Sequence, residues 1–196
     1  TIFTTDGGYI GYGGMDGVGG IHEQREAREV KLGQYGHSNQ PSHHIPYMYL
    51  YSSRPWETQK YVRDILARCY AGSTFGQGYI GDEDNGEMSA WYVLSSIGFY
   101  PLSMGNDEFA IGSPQFKEVT VNLEGNKKLV IKANNNSKKN VYVDSMYVNG
   151  EKYDKTFIKY EDLIKGGTIE FNMSSTPNKE RGLEQDSLTS ITKDDN

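Results

Sequence analysis

The sequence predicts a mixed α and β protein, with helices in the first half of the chain and strands in the second. The composition changes near residue 105, because all four histidines, both tryptophans and the single cysteine precede it. Runs in which Val and Ile alternate with Lys and Asn follow it, and this period of two is typical of strands. We therefore place the main boundary near residue 105 and expect a loose polar tail after Asn178.

Apolar residues at helical spacing predict three helices before that boundary. One begins near Pro41, because proline is favoured in a first turn, and extends to about Tyr51. A second follows Pro55, and its apolar side is formed by Trp56, Val62, Ile65, Leu66 and Cys69. A third begins near Asn85 and ends at Gly98, a residue type favoured just after a helix.

Five strands are predicted after the boundary, separated by turn signals rich in Gly and Asn. They cover residues 108–111, 118–123, 128–133, 141–148 and 168–171. Asn149-Gly150 is the strongest hairpin signal, since this dipeptide favours the two-residue turns that join antiparallel strands. We therefore expect an antiparallel β region.

Composition excludes several classes of function. The net charge of −6 argues against a general nucleic-acid surface, so we expect no nucleic-acid partner. No apolar run approaches the ~20 residues that span a bilayer, so we expect no membrane span. The single cysteine, Cys69, cannot form an internal disulfide, and its helical spacing from apolar residues indicates a core position. Because residue 1 is Thr and no targeting segment is visible, we expect a piece of a longer chain.

Glycines are concentrated between residues 5 and 36. A phosphate cradle is one interpretation, but no Gly-Lys-Ser/Thr follows and no strand–Gly-x-Gly-x-x-Gly–helix frame is visible. We interpret the segment as a long, tightly turning loop that lines a pocket.

Four carboxylates lie within six positions, directly before an apolar helical pattern: Asp82, Glu83, Asp84 and Glu87. Carboxylates grouped in this way can perform acid–base catalysis or bind a hard cation. A cluster that only complements the helix dipole is the alternative. An EF-hand loop does not fit, because counting from Asp82 puts Gly86 at position 5 and Glu87 at position 6.

Asp82 and Asp84 are two residues apart, so their side chains share a face of an extended segment. Together they can share a proton, bind one cation or activate one water. An inverting glycosidase needs its acid and base ~6.5–9.5 Å apart, on opposite sides of the sugar. The pair can therefore supply only the base side of such a site, and the general acid must come from elsewhere.

A second polar segment, residues 37–44, combines imidazole and amide groups. The amide oxygens of Asn39 and Gln40 suit calcium or sugar hydroxyls, whereas the spacing of a zinc site is absent. His43 and His44 point roughly 100° apart on a helix, so at most one faces the same cavity as Asn39. Each histidine alone could instead be a hydrogen-bonded buried side chain.

These two segments together resemble glycoside hydrolase family 92, the calcium-dependent exo-acting α-mannosidases. The matching stretches are residues 33–44, 78–92, 98–101 and 111–114. They match in long runs and in the same order, and the resemblance covers roughly residues 5–175.

The resemblance implies an N-terminal β-sandwich domain and a large (α/α)6 barrel, of which this chain holds only the last helices. Residues 1–104 would be the C-terminal part of the barrel, residues 105–178 an antiparallel β region beside it, and residues 179–196 a polar tail. The remainder of the parent polypeptide would be the partner of this portion. The family's general acid, a Glu on an earlier part of the barrel, has no matching segment, so we expect this chain alone to be inactive.

The resemblance also implies a reaction, the release of mannose from α-mannosides such as N-glycans, with inversion and one water. By motif match, Asp84 would be the general base, and Asp82 would be its close partner or the alternative base. A calcium that helps to bind and distort the sugar would lie at Asn39, Gln40 and Asp84; many members carry Glu where this chain has Gln40. The sugar site would be lined or supported by His37, His43, His44, Glu83, Asn85, Glu87 and Trp91.

Two other functions remain open from the sequence. A non-catalytic carbohydrate-binding module would use the β half as its binding surface, but that half has no Trp and its acids do not cluster. A calcium-stabilised structural domain would bind the metal without sugar chemistry. The family resemblance implies an extracellular, cell-surface or periplasmic location in a bacterium.

Overall fold

A computed structural model describes residues 2–5, 22–70, 72, 77–103 and 105–184. Most of the predicted glycine-rich loop, residues 6–21, and residues 185–196 of the predicted tail lie outside the described residues. The described helices are α1 (His22–Glu29), α2 (Trp56–Cys69), α3 (Glu87–Ile97) and α4 (Tyr160–Lys165), with 3₁₀ turns at Gln40–Ser42, Ile45–Tyr51 and Glu124–Asn126. No helix within these ranges is long and apolar enough to cross a bilayer.

The described strands form two sheets. They are β1 (Phe99–Tyr100), β2 (Glu108–Ile111), β3 (Glu118–Asn122), β4 (Lys128–Asn134), β5 (Tyr142–Val148), β6 (Glu151–Lys152), β7 (Phe157–Lys159) and β8 (Gly167–Ser174). The smaller sheet has the order β1-β2-β7, and the larger has the order β3-β4-β8-β5-β6.

The larger sheet is mixed, which corrects the predicted antiparallel β region at one pair of strands. β4 and β8 run parallel, from Leu129 opposite Gly167 to Asn134 opposite Asn172. The other described pairs in both sheets are antiparallel. Alternation in the sequence predicts a strand, but it does not specify which distant strand becomes its neighbour.

The described residues group into two compact units. The first draws on residues 1–44 and 64–92 and contains both polar segments singled out in the sequence. The second draws on residues 45–63 and 93–196 and contains both sheets. The domain boundary near residue 105 and the barrel origin of the helices stay predictions.

The core of the second unit is formed by alternate residues of its strands. The buried side chains of β4 and β8 lie opposite one another on one face of the sheet: Leu129, Ile131, Ala133, Ile169, Phe171 and Met173. Phe99 packs against Phe171 with the ring centroids 6.0 Å apart. Burial of each such large apolar side chain contributes roughly 1.5–3 kcal/mol, so this face holds the unit together.

Several local predictions are confirmed. α2 and α3 occupy the second and third predicted helical segments, and the five predicted strands appear as β2, β3, β4, β5 and β8. The predicted hairpin joins β5 to β6, with Tyr147 opposite Lys152. Asn149 and Gly150 have φ of 52° and 87°, as the turn between such closely paired strands requires.

Other elements differ from prediction for local reasons. The helix expected from Pro41 is two 3₁₀ turns, Gln40–Ser42 and Ile45–Tyr51. Pro46 lies inside this segment, and proline lacks the N–H that a continuous α-helix needs. Helices α1 and α4 and strands β1 and β7 were not predicted, because such short elements carry too few residues to show a period.

Asn136 fastens the loop after β4 inside the second unit. The two N–H groups of its buried amide nitrogen are shared among the backbone oxygens of Pro114, Gln115 and Phe116, at 3.2, 3.0 and 3.1 Å from that nitrogen. Its amide oxygen accepts a 2.8 Å hydrogen bond from Arg63 Nη1. The side chain therefore both donates and accepts hydrogen bonds. Asn is the residue that offers an amide donor and acceptor on a side chain of this length.

We expect Asn136→Ala to lower the free energy of unfolding by about 2–3 kcal/mol, because it leaves buried carbonyls and a guanidinium N–H without their partner. Urea titration followed by circular dichroism measures the loss. Asn134→Ala is the matched control, since Asn134 is exposed and its amide nitrogen donates to the Asn172 side chain at 3.0 Å; it should cost within about 0.5 kcal/mol. Equal losses would contradict the role assigned to Asn136.

Candidate active site

The acidic segment is a left-handed turn that leads into α3. Gly81, Asp84, Asn85 and Gly86 have positive φ, at 74°, 50°, 60° and 93°. Asp and Asn tolerate this conformation better than other residues with a side chain, and Gly adopts it without strain. The Glu87 and Met88 N–H groups donate to the Asp84 and Glu83 carbonyls, at 3.3 and 3.2 Å. The turn therefore ends directly in the first turn of the helix.

Glu83 caps this helix. Its two carboxylate oxygens accept hydrogen bonds from the N–H and the hydroxyl of Ser89, at 3.1 and 2.9 Å. These bonds stabilise the charged form, with the Ser89 N–H the larger contribution, and they lower the pKa of Glu83. Both carboxylate oxygens of Glu83 are therefore used to hold the first turn of α3. A contact of this carboxylate with sugar stays a prediction.

The remaining polar side chains of the segment face solvent. Asp82, Asp84, Asn85 and Glu87 are all exposed. The two aspartates lie on either side of the capping Glu83, in a turn whose backbone is set by four positive φ angles. This arrangement leaves two carboxylates available to a ligand, as general acid–base chemistry or cation binding requires.

The histidine segment, in contrast, supplies a buried cluster. His37 is 1 % exposed, and its Nδ1 and Nε2 lie 2.8 Å from the hydroxyls of Tyr35 and Tyr70. The Tyr70 hydroxyl also lies 3.2 Å from the Met88 carbonyl and must donate to it. Burial, with the nearby His43 adding to it, holds the pKa of His37 well below its ordinary value, so the ring is neutral.

His43 stacks on His37, with ring centroids 4.5 Å apart. Its Nε2 donates to the His37 carbonyl at 3.0 Å, which leaves Nδ1 as the unprotonated nitrogen of a neutral ring. That Nδ1 is buried without a hydrogen bond and lies 3.6 Å from Glu87 Oε1. Burial lowers the pKa of His43, although the bond to the His37 carbonyl opposes the shift.

Trp91 joins the same cluster from α3. Its indole N–H donates to the His43 carbonyl at 3.2 Å, and its ring lies edge-on to His37 with centroids 4.4 Å apart. His37, His43 and Trp91 are thus buried, whereas His44 is exposed. The first three are placed to support a site from within, and among the three histidines of residues 37–44 only His44 presents its side chain to solvent.

The two segments meet at Ser38 and Gly81. A Cβ on residue 81 would overlap the Ser38 Cβ, closer than non-bonded carbon atoms approach in proteins. Only glycine permits this approach, and its φ of 74° also favours glycine. Asn39 follows Ser38 and Asp82 follows Gly81, so the two segments predicted to form one site are adjacent at this point of the chain.

The residues predicted to hold calcium fit that ion in their chemistry. Asn39 and Asp84 are exposed and offer an amide oxygen and a carboxylate, the hard oxygen ligands that Ca²⁺ prefers. Gln40 has a buried amide nitrogen without a hydrogen bond, and turning that amide over would put an acceptor oxygen in its place. In the described part of the chain, no three His, Cys, Asp or Glu side chains are grouped to hold a metal, so such a site would need amide, backbone or water oxygens.

Sequence reasoning missed Tyr35 and Tyr70, which hold the two nitrogens of His37. Tyr35 lies inside a matching stretch but carries no chemistry of its own, and Tyr70 simply follows the last residue of α2. No local pattern identifies either tyrosine. The role of Tyr70 in particular depends on His37, which is 33 residues away in the sequence.

Comparison with known proteins identifies the class. Residues 15–175 match the description "Glycosyl hydrolase family 92 catalytic domain", which is more than half of the chain. The chain belongs to glycosyl hydrolase family 92, and the resemblance found in its motifs is confirmed.

Solved structures show the same relationship. The family GH92 alpha-mannosidase BT3965 from Bacteroides thetaiotaomicron, in complex with mannoimidazole, has a TM-score of 0.82 at 36% identity, covering 97% of this chain and 24% of that one. The family GH92 inverting mannosidase BT2199 from the same organism has a TM-score of 0.75 at 39% identity, covering 87% and 23%.

A curated relative is an uncharacterized secreted glycosidase from Arthroderma benhamiae, 28% identical over 138 residues, which is 69% of this chain and 18% of that protein. The chain thus spans about a fifth to a quarter of the length of the relatives it matches.

We expect Gly81→Ala to destabilise the first unit more than Gly86→Ala does. Both glycines have positive φ, but a Cβ at Gly86 meets nothing within 4 Å. Gly86→Ala should therefore cost only the backbone strain, about 1–2 kcal/mol, and Gly81→Ala that strain plus a steric clash of about 1–3 kcal/mol. Urea unfolding followed by tryptophan fluorescence compares the two. Equal costs would show that the contact with Ser38 does not constrain the backbone.

We expect the free energy of unfolding to fall as the pH drops below about 6.5, the pKa of an unperturbed histidine. The unfolded chain then takes up a proton that buried His37, with its lowered pKa, does not, so protonation favours unfolding by at most about 1.4 kcal/mol per pH unit. In His37→Gln this slope should be smaller than in the unmodified protein. Urea titrations with a metal chelator present, between pH 7.5 and about 4.5, compare the two proteins; an unchanged slope in His37→Gln would disprove the assignment.

Proposed function

We propose that the complete protein is an inverting, calcium-dependent exo-α-mannosidase and that this chain supplies the base side of its active site. The observation that carries the proposal is the contact of Ser38 with Gly81, which makes the two segments adjacent just before the exposed Asn39 and Asp82. The site thus combines amide oxygens with two solvent-facing carboxylates, groups suited to a sugar, a hard cation and a water.

Asp84 acts as the general base in this proposal. It takes a proton from the water that attacks the anomeric carbon, while Asp82, two residues away, orients the same water or shares its proton. The general acid protonates the leaving oxygen from the opposite side of the sugar, as an inverting reaction requires. It lies in a part of the polypeptide beyond this chain, so we expect the chain alone to be inactive.

Asn39, Gln40 and Asp84 would hold the calcium, which when bound would fix sugar hydroxyls and favour a distorted ring. The chain's own residues orient the site around it. Glu83 ties the acidic turn to α3 through Ser89, and Trp91 ties α3 to the histidine segment through the His43 carbonyl. His44, Asn85 and Glu87 face solvent and are placed to contact mannose, whereas His37, His43 and Trp91 support the site from beneath.

The relatives support the substrate and the location. Two solved structures, at 36% and 39% identity, are of mannosidases, one called inverting and the other an α-mannosidase in complex with mannoimidazole. We extend that activity to this protein, with α-mannosides such as N-glycans as substrates, and place its helices at the end of an (α/α)6 barrel. The secreted glycosidase from Arthroderma benhamiae favours an extracellular, cell-surface or periplasmic location.

We expect Asp84→Asn in the complete enzyme to lower kcat by about 10²–10⁴-fold, because the amide cannot accept the proton of the attacking water. Mannose release from an α-linked mannobiose, with and without a calcium chelator, is the measurement. Activity of the unmodified enzyme should disappear with chelator and return with added Ca²⁺. Asp107→Asn is the matched control, an exposed aspartate in the second unit, and should retain full activity.

Full activity in Asp84→Asn would eliminate the catalytic assignment of that residue. An unmodified enzyme that releases no mannose at any calcium level would favour the alternatives, a carbohydrate-binding module or a calcium-stabilised structural domain.

A further inference from the structure

Tyr70 connects the histidine segment to the start of α3 through its hydroxyl group. The hydroxyl oxygen lies 2.8 Å from His37 Nε2 and 3.2 Å from the Met88 carbonyl oxygen. Met88 is the second residue of α3, and its side chain is fully buried. One phenolic oxygen therefore bridges two segments that the sequence separates by about fifty positions.

The direction of each hydrogen bond in this chain follows from the groups involved. A carbonyl oxygen can only accept, so the single Tyr70 proton goes to Met88. The Tyr70 oxygen must then accept from His37, which places the imidazole proton on Nε2. Nδ1 is consequently the acceptor, and the Tyr35 hydroxyl donates to it at 2.8 Å. Two hydroxyls, one on each ring nitrogen, thus hold the orientation of the neutral ring.

Met88 is also joined to the acidic turn. Its N–H donates to the Glu83 carbonyl at 3.2 Å, and the Glu87 N–H donates to the Asp84 carbonyl at 3.3 Å. A displacement of the first turn of α3 would therefore move the backbone of Asp84. The Tyr70 hydroxyl holds this first turn to the segment that carries Asn39 and Gln40, whereas the Trp91 indole N–H holds the next turn of α3 through the His43 carbonyl.

We propose that Tyr70 is a positioning residue that keeps the Asp84 carboxylate in register with the histidine segment through the Met88 carbonyl. This inference rests on the proposed function, since it concerns the geometry of that reaction. A misplacement of about 1 Å in a catalytic group can cost on the order of 100-fold in rate, so a single hydroxyl at this junction has a large effect.

Tyr70→Phe removes the hydroxyl and leaves the ring. The ring contacts of Tyr70 are consequently preserved, including the parallel stacking on Trp91 at 5.8 Å and the contact with Tyr92 at 5.0 Å. Tyr35→Phe is the matched control, because it removes the hydroxyl bonded at 2.8 Å to the other nitrogen of the same ring. Each variant leaves one imidazole nitrogen unpaired, but only Tyr70→Phe removes the donor to Met88.

The experiment measures kcat and KM for mannose release by the complete enzyme, together with amide hydrogen exchange in the first turn of α3 and the urea midpoint. We expect Tyr70→Phe to lower kcat by about 10–100-fold with KM changed by less than about 3-fold, and to speed exchange at residues 87–90. Tyr35→Phe should lose comparable stability but keep kcat within about 3-fold and exchange in α3 unchanged.

Different results would overturn the inference in distinguishable ways. If both variants lose kcat in proportion to their loss of stability, or if Tyr70→Phe keeps its kcat in an active enzyme, the positioning role is wrong while the proposed function stands. If the unmodified enzyme releases no mannose, the proposed function fails and the positioning role fails with it.

Discussion

The candidate site depends on the close approach of two loops at Ser38 and Gly81. A methyl group at residue 81 would overlap the Ser38 side chain, so the absence of a Cβ sets how near Asn39 and Asp82 can come. The positive φ angles of the acidic turn also determine where its polar side chains lie, because they let the chain reverse within a few residues and enter α3 directly. Backbone geometry therefore determines the placement of the polar groups before any side-chain interaction does.

Beneath this contact lies a layer of neutral rings. His37 and His43 stack on each other, and Trp91 and Tyr70 close the cluster around His37. Burial disfavours the charged imidazolium, so the layer bears no net charge under the exposed carboxylates of the acidic turn. The polar atoms of the cluster are used mainly to connect segments, through the hydroxyls of Tyr35 and Tyr70 and the indole N–H of Trp91. The charged carboxylates of the acidic turn therefore face solvent, whereas the buried rings that connect the segments are neutral.

The second unit contributes stability by a different route. Its sheet buries one face of alternating apolar side chains, and the loop after β4 is fastened by the two ends of the Asn136 amide. The parallel pairing of β4 with β8 places Ile131 beside Ile169 and Ala133 beside Phe171, which concentrates the core on these two strands. None of the chemistry assigned to the site comes from this unit, and its acids do not form a cluster in the sequence.

The sequence by itself determined the local secondary structure, the candidate polar residues and the family. Helices α2 and α3, five strands and the Asn149-Gly150 hairpin follow from period and turn chemistry, and the family follows from residues 33–44 and 78–92. These features depend on neighbours a few residues apart, so a pattern can reveal them. Only the tertiary structure decided that β4 and β8 are parallel, that His37 is buried between two tyrosines, and that Gly81 lies against Ser38. Apart from the Tyr35–His37 pair, each of these depends on contacts between residues distant in the chain. The burial of a single histidine and the close approach of a single glycine leave no periodic signal in the sequence.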